Sequence, residues 1–580
     1  MFEQSKNRPI MTRYTFGINN PHQQYIEISV EFETKGDSAT LQLPSWRPGR
    51  YELGNFAKNI NNLKVYNSKD KVIAAEKLNK DSWIIDTSKT DSINVEYKYY
   101  AIEMNAGSSF LDKDQLYVNP VNCCMYDPET YDDVVEVVLN VPEKWDVATS
   151  MKKKSSGIWN VSGIDELLDT PFIASSMLQY KTYTSKDTKF FVWFNGEVKP
   201  DWERLLKDFQ AFTDCQIAKF VEFPTDEYHF INLILPYRTY HGVEHSKSTV
   251  ISLGPSYEIF TDLYKELLGV SSHELYHTWN VKAIRPIEMY PYDFTKENYS
   301  KLGYLCEGVT TYQGDLFLLK SGVFTEEQYF LELNSQLQRH FDNFGRFNYS
   351  VAQSSFDTWL DGYVSGAPGR KVSIYTEGCL LAFVTDVRIL KATDHKSNLD
   401  AVMKRLYFNY ALQGNGISAE DYQSEIEAIT GESWKKFFKD YVNGTKSFES
   451  IIIDALEYIG LELNLNPTSS YSATRLGFKA MKSGNNFVVK AIFSGGPAEN
   501  AKISIDDEIM AVNDIALDGE LDKWLNYFDD DVKKVTINRK GRIVELIFPE
   551  VTRDFYKRYT ITKNPKPEKL NARAYLAWKK

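Results

Sequence analysis

The reading of this chain turns on His273-Glu274-Leu275-Tyr276-His277-Thr278-Trp279-Asn280. Positions i and i+4 of a helix share a face, so the imidazoles of His273 and His277 project side by side. Two neutral imidazoles suit zinc, which in catalytic sites takes three protein ligands and leaves a position for water. Glu274 sits beside the first of them, where a carboxylate can take a proton from an attacking water. The chain has 8 His in 580 residues. By chance such a pattern would arise in roughly one such chain in a hundred, so its weight depends on what surrounds it.

The run continues as HExxHxW, which resembles the helix of aminopeptidase N-type zinc enzymes. Downstream, Cys306-Glu307-Gly308-Val309-Thr310-Thr311-Tyr312 resembles the segment whose Glu is their third zinc ligand. The resemblance implies one zinc ion per chain, held by His273, His277 and Glu307. It also shows a departure. The usual spacing falls on Lys296, which cannot serve, and Glu307 lies thirty residues after His277. Glu288 and Glu297 are rival ligands within that span. The insertion 281–300 holds Pro286, Pro291 and three Tyr, and is expected to be a loop that shapes a pocket.

Three further segments extend the resemblance. Tyr240-His241-Gly242-Val243-Glu244-His245 resembles the segment where these enzymes hold the substrate's free α-amino group on a Glu, which implies that role for Glu244. A fixed anion there would select a free ammonium and reject blocked termini. His245 stands where Asn is usual, and its role is open. Ser373-Ile374-Tyr375-Thr376-Glu377-Gly378 resembles the segment carrying the oxyanion-stabilising Tyr, here Tyr375. Leu43-Pro44-Ser45-Trp46-Arg47-Pro48-Gly49-Arg50-Tyr51 resembles the PxWxPGxY run of the glycyl aminopeptidase family, and reads equally as a rigid turn between strands. That family joins a β domain, a thermolysin-like domain and a PDZ domain. Its members release small N-terminal residues, Gly first and then Ala or Ser.

Near the C-terminus, Arg475-Leu476-Gly477-Phe478 resembles the carboxylate-binding loop of PDZ domains. Strand Phe487–Phe493, then Gly495-Gly496-Pro497-Ala498-Glu499-Asn500-Ala501, then Asp506-Asp507-Glu508-Ile509-Met510-Ala511-Val512-Asn513, with Asp506 where Gly is common, follow the PDZ order. Such a domain implies a C-terminal peptide ligand, or a packing role.

The remaining chain frames these motifs. Tyr25–Glu33 and Ile93–Tyr99 alternate apolar and polar residues, as half-buried strands do. Lys189–Asn195 and Phe230–Pro236 read as strands, Trp202–Val221 and the chain from Ser256 to Asn280 as helices. The fold class is multidomain α+β. An antiparallel, sandwich-like β domain is expected over 11–180 and a thermolysin-like peptidase domain over 181–465, helical from about 378. A PDZ-like domain follows over 471–551, then an extended or packed tail over 552–580. A net charge of −12 disfavours nucleic-acid partners. No apolar run is long enough for a spanning helix. Five Cys, an odd number without a CxxC pair, fit a reducing compartment. Met1–Asn20 has no leader-like apolar core, so the sequence as given reads as cytoplasmic, or as periplasmic or secreted if a leader was removed. The expected partners are peptides with a free N-terminus; the oligomeric state is open. The other readings are a zinc endopeptidase, and a PDZ-led scaffold with an unused catalytic fold.

Overall fold

The computed structural model describes residues 11–364, 366–529, 531–549 and 553–580. Met1–Ile10, half of the stretch read for a leader, and the domain boundary near 551 lie outside the described residues.

The alternation at Tyr25–Glu33 forms strand β2, with Ile26, Ile28, Val30 and Phe32 buried. It lies between β1 (Met11–Gly17) and β3 (Ser92–Tyr100) in an eight-stranded sheet, with Tyr14 opposite Val30 and Tyr25 opposite Tyr100. β1 also pairs with β4 (Val134–Asn140), and this pair is parallel, Met11 opposite Val134. The region expected to be antiparallel is therefore mixed. Between the two strands the chain adds β2 and β3 to the large sheet and also builds a three-stranded sheet and half of a four-stranded one, so β4 re-enters along the direction of β1. Those sheets, of three and four strands, share the core of the large one through Leu41, Trp83, Ile85, Leu116 and Phe172.

A five-stranded sheet follows. Its strands are β5 (Gln179–Ser185), β6 (Thr188–Asn195), β7 (Glu227–Ile234), β8 (Thr239–Glu244) and β9 (Ser248–Gly254), in the order β5-β6-β7-β9-β8. β6, β7 and β9 run parallel, while β8 is antiparallel and takes the edge. Helix α1 (Trp202–Phe220) starts at Asp201, whose carboxylate accepts the Arg204 N–H at 3.2 Å. Helices α2 (Tyr264–Tyr276), α3 (Thr310–Lys320), α4 (Glu326–Asp342) and α5 (Ile374–Ala392) pack with it into one core. Then come α6 (Leu399–Asn409), α7 (Ala419–Thr430) and α8 (Glu449–Tyr458). Ser418 and Asp421 close a capping box on α7, and Gly431 ends it.

After β10 (Leu461–Pro467) the chain builds a separate sheet with its own core. Five of its six strands are β11 (Phe478–Ser483), β12 (Asn486–Ile492), β13 (Glu508–Val512), β14 (Lys533–Arg539) and β15 (Arg542–Phe548); the sixth, the short Ile515–Ala516, pairs with β13, and helix α9 (Leu521–Tyr527) packs against the sheet. The chain then returns as β16 (Lys557–Lys563), antiparallel to β10, and ends in α10 (Lys569–Lys579). The stretch 552–580, read above as an extended or packed tail, thus holds a strand and a helix. Trp578 and Ala574 of α10 are buried in the core of the helical region. No helix of the described residues is long and apolar enough to cross a membrane.

Candidate metal centre and active site

The C-terminal end of α2 brings His273, Glu274 and His277 to the floor of a cleft of about 640 Å³. Trp279, fully buried, stacks on Phe220 of α1 with ring centroids 4.6 Å apart, which fixes that end against the core. The chain leaves helical geometry at Asn280 (φ −125°, ψ 91°). The Asn280 carbonyl accepts from His277 Nδ1 at 2.8 Å, and its side-chain amide donates to Leu305 O at 2.9 Å. One residue therefore orients His277 and holds the segment that delivers Glu307.

Glu307 lies in a wide helical turn before α3. Its Oε2 is 3.4 Å from His277 Nε2 and 3.9 Å from His273 Nε2, and the two imidazole nitrogens are 3.0 Å apart. Tetrahedral zinc with bonds of about 2.0–2.1 Å would set its ligand atoms roughly 3.3 Å apart. The spacing and the N, N, O donor set fit that ion, and the three residues form a metal-competent group. The rivals do not join it. Glu288 is exposed and accepts from Ser300 Oγ at 3.0 Å, and Glu297 is half-buried elsewhere in the loop.

Five more carboxylates line the same cleft, and two of them, Glu274 and Glu244, stand beside His277. Glu274 Oε2 and Glu244 Oε1 are buried without a hydrogen-bond partner among the described residues. Glu244 ends the edge strand β8. Gly242, two residues earlier, lets that strand approach the helix: a Cβ there would sit 2.1 Å from Glu274 Oε1. Tyr375 projects into the cleft from the first turn of α5, which Ser373 caps. His245 turns away, with Nδ1 3.2 Å from Asp169 Oδ1, and Asp169 also takes Lys282 Nζ at 2.8 Å.

The electrostatics of the cluster follow from its burial. Burial raises Glu274 well above the ordinary carboxylate range, and Glu244 and Glu307 add to the rise against His277. Burial likewise raises Glu307, with His277 opposing. Burial alone would lower His277, but Glu307 and Glu244 outweigh it and raise it to about 10. Crowded, poorly solvated carboxylates beside two imidazoles form a site that a divalent cation neutralises.

The structure also places residues here that the sequence did not single out. Gly49 lines the cleft, and Tyr51, Arg47 and Tyr363 stand around it. The first three fall inside the Leu43–Tyr51 motif, which was the available signal; Tyr363 carries none. The insertion 281–300, expected to shape a pocket, contributes no lining to the main cleft. Instead it grips that motif: Ser45 N–H donates to Phe294 O and Trp46 Nε1 to Asp293 O, both at 2.8 Å.

Residues 13–176 match the peptidase M61 N-terminal domain, and residues 266–381 match the M61 glycyl aminopeptidase domain. The solved structure of an aminopeptidase N family protein from Idiomarina loihiensis is similar over 98% of this chain and 100% of its own, at 25% identity and TM-score 0.91. An M1 zinc metallopeptidase variant from Deinococcus radiodurans, solved with a Tyr-Ser-Ala substrate, is similar over 76% of this chain and 94% of its own. The identity is 11% and the TM-score 0.47. A search of curated proteins found no match.

Fold and site together define a metallopeptidase, a hydrolase of the peptide bond. Two stretches of the chain, 13–176 and 266–381, are similar to the N-terminal and glycyl aminopeptidase domains of the M61 peptidases.

Proposed function

We propose that this chain is a zinc-dependent aminopeptidase that releases small N-terminal residues, Gly first and then Ala or Ser, from peptides. One observation carries the reading. The ligand atoms of His273, His277 and Glu307 converge beside two unpartnered buried carboxylates, Glu274 and Glu244, in a single cleft.

His273, His277 and Glu307 would hold one zinc ion. Zinc, when bound, polarises the scissile carbonyl and favours ionisation of a water. Glu244 fixes the substrate's α-ammonium, which sets the first peptide bond over the floor of the cleft. Glu274 takes a proton from the attacking water and passes it to the leaving amine. Tyr375 donates its hydroxyl proton in a hydrogen bond to the tetrahedral oxyanion. The close approach of the Gly49 backbone to Glu244 supports a closed N-terminal end, as an exopeptidase needs.

The domain reading goes with it: a β domain over 11–180, a thermolysin-like domain over 181–465 and a PDZ-like domain over 471–551. The element order β11, β12, β13, α9, β14, β15 supports the last. Its contacts with the α4 region, Lys479 with Asp342 and Phe493 against Phe344 at 4.8 Å, support a docking role.

The test is hydrolysis of glycyl- and alanyl-anilides before and after chelation. The reading requires turnover that chelation abolishes and zinc restores. No turnover of any free-amino substrate by protein with zinc bound in full would overturn it.

A further inference from the structure

The segment Leu43–Tyr51 joins strands of the N-terminal region in chain order, yet it reaches the metal centre. The Trp46 ring is wedged among Tyr292, Phe294 and Trp359, with centroids 5.1–5.8 Å away. Gly49 has φ +77°, and a Cβ there would lie 2.5 Å from Glu244 Oε2, so this backbone abuts the ammonium-binding carboxylate. Tyr51, 4% exposed, places its hydroxyl 3.4 Å from Glu307 Oε1, and its own N–H lies 3.3 Å from the Tyr363 hydroxyl.

The two oxygens of Glu307 therefore have different neighbours. Oε2 faces the imidazoles of His273 and His277, while Oε1 faces Tyr51. A carboxylate that binds an ion through one oxygen still rotates unless the other is held. Outer hydrogen-bond partners of this kind orient metal ligands. Glu307 is 2% exposed, so bulk water is poorly placed to replace the phenol.

We propose that Tyr51 is a positioning residue for Glu307, so that the N-terminal region completes the metal centre of the peptidase region. The inference rests on the metal assignment above. It gives the Leu43–Tyr51 motif a chemical role beyond that of a turn, because the segment couples seating of the N-terminal sheet to retention of the metal.

The test is Tyr51→Phe in the full chain, which removes the hydroxyl and keeps the ring. Two quantities are read: the rate at which zinc passes to excess chelator, and the unfolding temperatures of the metal-free and zinc-loaded forms. Zinc should leave the variant faster by about tenfold or more. The metal-free variant should unfold with metal-free wild type, while the zinc-loaded variant gains less from the ion. Release within twofold of wild type, or an equal fall in unfolding temperature with and without zinc, would overturn the proposal. A wild-type protein that takes up no zinc would instead sink the metal assignment beneath it.

Discussion

Glu274 and Glu244 are both buried carboxylates facing one cavity, and their positions fit them to different work. Glu274 adjoins His273 on the floor and Glu244 lines the cleft from the end of β8; the proposed mechanism gives the first the attacking water and the second the α-ammonium. Glu274→Gln should keep the ion and lower kcat by roughly 10²–10⁴, checked by steady-state kinetics beside a metal assay. Tyr375→Phe should lower kcat by roughly 10²–10³ with little change in KM, as loss of an oxyanion donor does. At this scale the sequence was informative where chemistry is local. HExxH spacing put two imidazoles and a carboxylate together without any knowledge of the fold. Glu307, Glu244 and Tyr375 came through resemblance alone, and the structure gathers them into the same cleft. The link from Tyr51 to Glu307 was not legible, because the two are 256 residues apart and no periodicity connects them.

The end of α2 is held by more than its own packing. Just beyond it, Lys282 is buried against Asp169 of the N-terminal region, and His245 after β8 shares that carboxylate. Burial alone would raise Asp169, but Lys282 and His245 hold it far below the usual range. Asp169→Asn should cost about 3–5 kcal/mol, since it leaves a buried ammonium unpaired, measured by denaturant unfolding. Elements with strong periodicity were legible, β2 and α1 among them. Pairing partners were not: alternation in β1 says nothing about a parallel neighbour at β4. Helix α10 was hidden because Ala574 and Trp578, its buried contacts, stand among basic residues that read as solvated chain.

The segment 553–580 packs back onto the peptidase region. β16 pairs with β10 on either side of the separate sheet, and Ile561 N–H donates to Asn334 of α4 at 2.8 Å. Trp578 Nε1 donates to the Tyr312 hydroxyl at 2.8 Å, on the helix that follows Glu307. Removal of 553–580 should therefore lower the unfolding temperature of the peptidase region, as calorimetry would read, because the Trp578 site is left as a cavity. Acid acts on the same core through Asp400, which joins Lys219 of α1 and Lys320 of α3 at 3.3 and 3.0 Å. Burial alone would raise its carboxyl, but the two lysines bring it down to about 2. Its contribution is present above the unfolded value near ~4 and is lost as pH falls through about 2, on the order of 2–3 kcal/mol. Stability measured between pH 5 and 2 should fall less steeply in Asp400→Asn than in wild type. The central claim concerns what the cleft accepts. Its most direct measurement is kcat/KM for one glycyl peptide, free and N-acetylated, with the zinc-loaded protein. Cleavage of the free peptide alone, with release of glycine, is the expected result; acetylated peptide cut as fast as free would contradict the role of Glu244 and make the enzyme an endopeptidase.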